Sequence, residues 1–268
     1  MTAGGTTPAG GGAVKSADRA LTILDAVADR GSLRFNELVA QLGLPRSSAH
    51  ALLQTLVDRG WLDLDPDTRR YTIGLKAWHV GQAYTGHGDL VAIAKPAMDA
   101  LARDVGETVQ LARLDGLENV YIAISESAQP MRLASTVGAR LLAHATGIGK
   151  ALLAQLPPDE CGRRLRSQPL PSFTPHTVTD PDELEAIVAE ARVRGWARDD
   201  EEVLVGCRCV AVPLTDDGHG LITALSVTAP SARCGPDWPE AVLGELQNAA
   251  GVIRARTPTA LNKVRRSP

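Results

Sequence analysis

Residues 144–154 read HATGIGKALLA, a glycine pair and a lysine ahead of an apolar helical run. Such a turn offers unpartnered backbone N–H groups at the positive end of a helix, so phosphate binding is the first chemistry to test. A Walker A loop requires G-x-x-x-x-G-K-[S/T]. With Gly149 and Lys150 as its G-K, the first glycine falls on His144 and the magnesium-binding hydroxyl on Ala151. No buried parallel strand precedes the loop either. These departures argue against ATP chemistry and make Lys150 a helix-surface or structural residue. What remains is a helix start at Gly147, Ile148 and Gly149 that a small anion can approach. His144 reads as a packed or solvent-facing residue, with Leu141 and Leu142 as wall residues before it.

Other chemistry-bearing residues lie downstream. Ser226 and Thr228 are two apart in the strand-like run LITALSVTA, so both hydroxyls face one side. They line a pocket or face solvent. Cys207, Cys209 and Ala211 share a face in GCRCVAVPL in the same way. C-x-C is a poor match to zinc spacings, and no His is near in sequence. Buried strand thiols are one reading, and a metal- or redox-responsive pair at Cys207 and Cys209 is the alternative. With four cysteines in all, a disulfide scaffold is excluded. Asp199, in RDDEE, reads by itself as part of a solvated charge run.

A third group lies near the N-terminus. SADRALTILDAVADR (16–30) predicts an amphipathic helix capped by Ser16, ended by Gly31, with Ala17, Leu21, Leu24 and Ala28 on its apolar face and Ala20 and Val27 flanking. FNELVAQLG (35–43) is a short helix, and LPRSSAHALLQTLVDRG (44–60) another, with Ala49, Leu52, Leu53 and Leu56 on its inner face. Two short helices around a tight turn make a helix-turn-helix. WLDLDPDTRRYTIGL (61–75) adds two strands around a D-P-D-T turn, the winged form. The second helix of such a unit enters the major groove, which nominates Arg46, Ser47, Ser48, His50 and Gln54 for DNA contact, with Arg69 and Arg70 on the wing. Between Lys15 and Leu75, however, eight basic side chains face eight acidic ones. A neutral head binds DNA weakly alone, so affinity requires several heads per site. A winged helix used for protein contacts is the alternative.

The remaining elements must position the pocket. Residues 76–105 read as helical, with a break around Thr85–Asp89 and Pro96 starting or kinking a helix. ETVQLARLDG, NVYIAISES and MRLAST read as strands, DELEAIVAEARVRG (182–195) as a helix, RCVAVPL and LITALSVTA as strands joined by TDDGHG, and 239–255 as a last helix. Helices and antiparallel strands mix without β-α-β alternation, so the class is α+β. The chain has 268 residues, 44% hydrophobic and 22% charged, with net charge −3, which suits two modest soluble domains and excludes a wholly basic nucleic-acid binder. No apolar run is long enough for a membrane span. The Gly/Thr/Ala/Pro start lacks signal-peptide character and reads as a disordered tail, which leaves the cytoplasm as the expected location.

The motifs, taken in order, resemble the IclR family of bacterial transcriptional regulators over about residues 15–256. The matching stretches are RALTILDAVAD (19–29), LGLPRSSAHALLQTLVDRGWL (42–62), YTIGLKAW (71–78), GETVQLARLDG (106–116), HATGIGKALLA (144–154), FTPHTVTDPDEL (173–184), RGWARDDEEVLVGCRCVAVPL (194–214) and ALSVTAP (224–230). The resemblance implies a winged helix-turn-helix (15–75), a helical linker (76–105) and a GAF-like antiparallel-sheet effector domain (106–256), between tails whose composition reads as disordered (1–14) and flexible (257–268). It implies no enzyme activity and no cofactor. It implies instead a palindromic double-stranded operator, a dimer or dimer of dimers, and a small metabolite (an organic or aromatic acid or a sugar derivative) that controls DNA binding; the family contains repressors and activators, and a repressor is the expectation here. Effector contacts carry over to Gly147 and Ile148 (backbone), Asp199, Cys209, Ser226 and Thr228, the last replacing a serine of relatives. Two departures stand out. Ala51 replaces an arginine that follows the helix histidine in many relatives, and Arg34 sits where a capping Ser or Thr is usual, breaking the capping box.

Overall fold

The computed structural model describes residues 14–83, 88–131, 135–214 and 222–257. Both expected tails, except for Val14 and Thr257, lie outside the described residues. So do residues 84–87 of the expected helical break, 132–134 within MRLAST and the TDDGHG turn. The chain divides into two compact units, Met1–Thr85 and Gly86–Pro268.

The first unit holds α1 (Lys15–Arg30), β1 (Leu33–Arg34), α2 (Phe35–Leu42), α3 (Arg46–Asp58), β2 (Leu62–Leu64), β3 (Arg70–Ile73) and α4 (Leu75–Gln82). Its small sheet has the order β1-β3-β2. This is a winged helix-turn-helix. The apolar face of α1 is rotated from the expected one. Ile23, Ala26 and Val27 are buried while Leu21 is exposed. The 20-23-24-27 stripe is as periodic as the expected one and carries the branched side chains, so it packs better. Helix α1 also starts one residue early, with Val14 at the N-cap and Ser16 inside the first turn. At α2, the Arg34 backbone N–H donates to Glu37 Oε2 at 2.7 Å. Half of the capping box therefore survives Arg34. The other half is missing because a guanidinium has no acceptor.

The second unit holds α5 (Gly88–Val105), β4 (Thr108–Asp115), β5 (Glu118–Ser125), β6 (Arg140–Leu142), α6 (Gly147–Leu153), α7 (Pro158–Leu165), α8 (Pro181–Arg194), β7 (Ala197–Asp200), β8 (Cys207–Pro213), β9 (Thr223–Pro230) and α9 (Glu240–Arg256). Its strands form one antiparallel sheet in the order β6-β5-β4-β9-β8-β7. Period-two alternation divides the side chains between two cores. Val109, Leu111, Val210, Val212, Leu225 and Val227 pack with α5 and α9. Ala112, Leu114, Tyr121, Ala197, Ala211 and Ala224 pack with α6, α7 and α8. The second face is made of smaller residues, which leaves room for polar groups among them.

Several elements differ from the sequence reading. Pro96 lies inside α5 without ending it. Burial of Leu90, Ala94, Met98 and Leu101 on that helix offsets the proline's lost hydrogen bond. Strand β6 replaces MRLAST, whose described residues Met131, Ser135 and Thr136 are in no strand. Its three residues are too few to show alternation. Strand β7 was hidden by the charges of ARDD, and α7 by its polar sequence.

Candidate functional site

Residues on the small-side-chain face come together in register across the sheet. Gln110 of β4 is opposite Ser226 of β9, Cys209 of β8 is opposite Thr228, and Asp199 of β7 is opposite Cys209. A register shift between Leu111 and Ala112 pairs Tyr121, not Ile122, with Ala112. Such a bulge re-aims a side chain, here turning the Tyr121 ring to the same face. Above them Thr146 caps α6, accepting from Gly149 N at 2.9 Å and donating to Asn119 Oδ1 at 2.8 Å. The result is a cavity of about 260 Å³ that Gln110, Tyr121, Thr146, Ile148, Asp199, Cys209 and Thr228 line, with Leu141, Val203 and Leu204 as its apolar wall.

Of the six carried-over effector positions, Ile148, Asp199, Cys209 and Thr228 line this cavity. Gly147 sits against it without lining it. A Cβ there would meet Asp199 N, Cys209 O and Cys209 Sγ, each at 3.1 Å. Ser226 stands one row behind, 1% exposed, and donates to Gln110 Oε1 at 2.9 Å, as Thr228 does at 3.0 Å. Gln110 was not anticipated, although a lone amide in the apolar run TVQLARL was the available signal. Tyr121 depends on the bulge, and Ser135, Thr136 and Val203 come from irregular chain with no sequence signature. Leu142 does not line the cavity.

Asp199 is not a solvated charge. It is 4% exposed while Asp200 beside it is exposed. Burial pushes its pKa up to about 7, against a backbone hydrogen bond from Glu202 N to Oδ1 at 2.7 Å. Lys150 is no surface residue either. It is 2% exposed and forms an ion pair with Glu202, whose pKa burial raises against the pull of that ammonium. His144 is packed, with Nε2 3.0 Å from Pro171 O and its ring stacked on Phe173.

Nothing among the described residues around the cysteines supports the metal- or redox-responsive alternative at Cys207 and Cys209. All four are free. Burial raises the Cys207 thiol pKa strongly and pushes Cys209 up to about 12, which favours the unreactive thiol form in both. Among the described residues, no cluster of three or more His, Cys, Asp or Glu could hold a metal ion.

In the winged unit, Arg46, Ser47, His50 and Gln54 are exposed along one side of α3, with Ser48 half-buried. The Phe35 ring organises two of them. The Arg46 guanidinium lies 5.4 Å from its centroid and donates to Asn36 Oδ1 at 2.8 Å, and the His50 ring meets it edge-on at 6.2 Å. Gln54 Nε2 donates to Asp58 Oδ1 at 2.8 Å. Arg69, at the wing turn with φ +57°, is exposed. Arg70 is turned inward and donates to Ser32 Oγ at 2.8 Å, with Glu37 Oε2 3.7 Å away.

The family model for the bacterial transcriptional regulator IclR C-terminal region matches residues 82–255, and that for the IclR helix-turn-helix domain matches residues 16–66. The chain belongs to the IclR family. Among IclR-family relatives, the HTH-type transcriptional regulator BhcR of Paracoccus denitrificans is 36% identical over 86% of this chain and 83% of its own. The transcriptional repressor IclR of Escherichia coli is 34% identical over 87% and 85%. A crystal structure of an IclR homolog from Microbacterium hydrocarbonoxydans complexed with 4-hydroxybenzoate superposes with a TM-score of 0.77 at 27% identity, covering 90% of this chain and 98% of that one. The IclR family is one of transcriptional regulators and not of enzymes, in keeping with a Lys150 that is committed to Glu202. No helix among the described residues is long and apolar enough to cross a membrane.

Proposed function

We propose that this IclR-family regulator is a cytoplasmic repressor that binds a palindromic operator as a dimer or dimer of dimers and is controlled by a small organic or aromatic acid, or a sugar derivative, held in the 260 Å³ cavity. The observation that carries this reading is the cavity itself. It gathers residues from all six strands of the sheet and the start of α6, it is walled by apolar side chains, and its size suits a single small ring or short chain. The E. coli relative is a repressor by name and the Microbacterium homolog is complexed with an aromatic acid, which supports both parts of the reading. Arg46, Ser47, Ser48, His50 and Gln54 contact bases and phosphates, and Arg69 reaches phosphate. Arg70, held by Ser32 and Glu37, braces the wing. Helices α4 and α5, which cover most of residues 76–105, carry the coupling between effector occupancy and the DNA-binding heads.

Fluorescence anisotropy on its own promoter DNA tests the reading. Binding should be sequence-specific and fall steeply with salt. A panel of small acids and sugar derivatives should include one that shifts operator affinity. Gly147→Val drives methyl groups onto the Asp199 and Cys209 backbones and should remove the effector response while specific DNA binding stays. No preference over random DNA at any salt would discard the reading.

A further inference from the structure

The effector cavity carries a charge problem, because its carboxyl has no side-chain cation beside it in the described lining. Among the described residues that line it, none is Lys, Arg or His, and Asp199 is the single carboxyl. The nearest buried cation, Lys150 on α6, is held by Glu202. The other titratable groups facing Asp199 are Tyr121 from β5, Cys207 and Cys209 from β8, and Asp200 and Glu202 on its own segment. The phenol and both thiols are neutral, because burial raises all three pKa values. Asp199 Oδ1 accepts from Glu202 N at 2.7 Å, and no hydrogen bond to Oδ2 occurs among the described residues. A carboxylate ligand entering here would therefore meet a second carboxylate with no side-chain cation to separate them. Two such groups at contact distance do not both stay ionised.

Resting on the reading of this cavity as the effector site, we infer that Asp199 binds the effector as a carboxylic acid, taking one proton from solvent as a monocarboxylate ligand enters. The new bond is a charge-assisted O–H···O⁻ hydrogen bond between Asp199 and the ligand, a short and strong type. The ligand stays anionic, Asp199 becomes neutral, and one buffer proton is consumed per site. Asp199 sits close to its own midpoint near pH 7, so this protonation needs little driving force there and progressively more above it. The same logic sets specificity. A second carboxylate on the ligand finds no cation in the cavity, so dicarboxylates are rejected. An ammonium group would instead keep Asp199 ionised and expel a proton.

Isothermal titration of the full-length protein with 4-hydroxybenzoate, benzoate and acetate, in buffers of different ionisation enthalpy at about pH 8, counts the protons exchanged. The expected result is uptake approaching one proton per site, with Kd weakening about tenfold per pH unit above 7. Asp199→Asn keeps a donor and the same shape. It should bind the acid with no proton uptake, no pH slope, and up to about tenfold tighter than the parent at pH 8. Saturable binding of any of these acids by the parent protein without proton uptake overturns the inference and leaves the effector site standing. Uptake that persists in Asp199→Asn also overturns it, because Glu202 is then the proton carrier. Failure of every monocarboxylate to bind overturns it as well. In that case, operator release by a sugar derivative would show that the cavity is still the effector site and that only the acid class was wrong.

Discussion

Helices α3 and α6 both begin with residues that read as binding groups, yet they are built on opposite terms. At α3 the polar side chains are exposed, and their partners are local: Arg46 on Phe35 and Asn36, Gln54 on Asp58. At α6 the whole helix is buried, and the polar groups around it are engaged with distant chain, Lys150 with Glu202 and Thr146 with Asn119. Exposed pairs contribute little to stability, because water solvates either partner when the other is lost. Buried pairs contribute conditionally, since losing one partner strands the other in a low dielectric. The exposed residues of α3 can thus change with little effect on folding. The buried, paired groups around α6 cannot change without cost to folding.

The sharpest break of this contrast is at Lys150. Lys150→Met leaves Glu202 buried and uncompensated and should lower unfolding free energy by about 3–5 kcal/mol, with most of it restored in Lys150→Met/Glu202→Leu. Urea denaturation of the second-unit signal reads this directly. A single-variant loss under about 1 kcal/mol would mean that α6 is no more constrained than α3.

A smaller effect, opposite in sign, is expected at Asp199. Its native pKa, about 7, stands above the usual aspartate value of 3.8, so between those limits the native state holds more protons than the unfolded chain. Stability therefore falls as pH rises from about 4 to 7 and stays lowered above. Asp199→Asn escapes this. It should melt close to the parent at about pH 4–5 and be more stable at pH 8, by an amount on the order of a few kcal/mol. Parallel melts at the two pH values decide it, and an equal difference at both would remove burial as the cause.

Gln54→Ala should change stability least. Losing an exposed i,i+4 amide–carboxylate bond costs about 0.2–0.5 kcal/mol. Operator affinity should nevertheless drop by about 1–3 kcal/mol if Gln54 reads a base edge. Melting and anisotropy on one preparation separate the two. A stability loss as large as the affinity loss would erase the distinction between the helices.

The winged unit was the more legible half because its chemistry is periodic and local. The spacing of Ala49, Leu53 and Leu56 placed Ser47, His50 and Gln54 outside, and they are outside. Even there, the face of α1 was misread, since Ala17 and Leu21 repeat as well as Ala20 and Ile23 do. In the second unit, the strand pairs Ser226/Thr228 and Cys207/Cys209 were legible as shared faces, but which face was not. Asp199 looked like one charge in a run of five.

The sequence by itself determined the family, the helix-turn-helix and the strands and helix that the cavity is built from, because these follow from short-range periodicity, turn residues and motif order. Only the tertiary structure decided the electrostatics. Lys150 and Asp199 differ from surface charges only by what lies above them, and burial is a property of packing between segments far apart in the chain. Gln110 and Ser226 are separated by more than a hundred positions and meet through antiparallel register between β4 and β9. A bulge of one residue in β5 then decides whether Tyr121 or Ile122 faces the cavity.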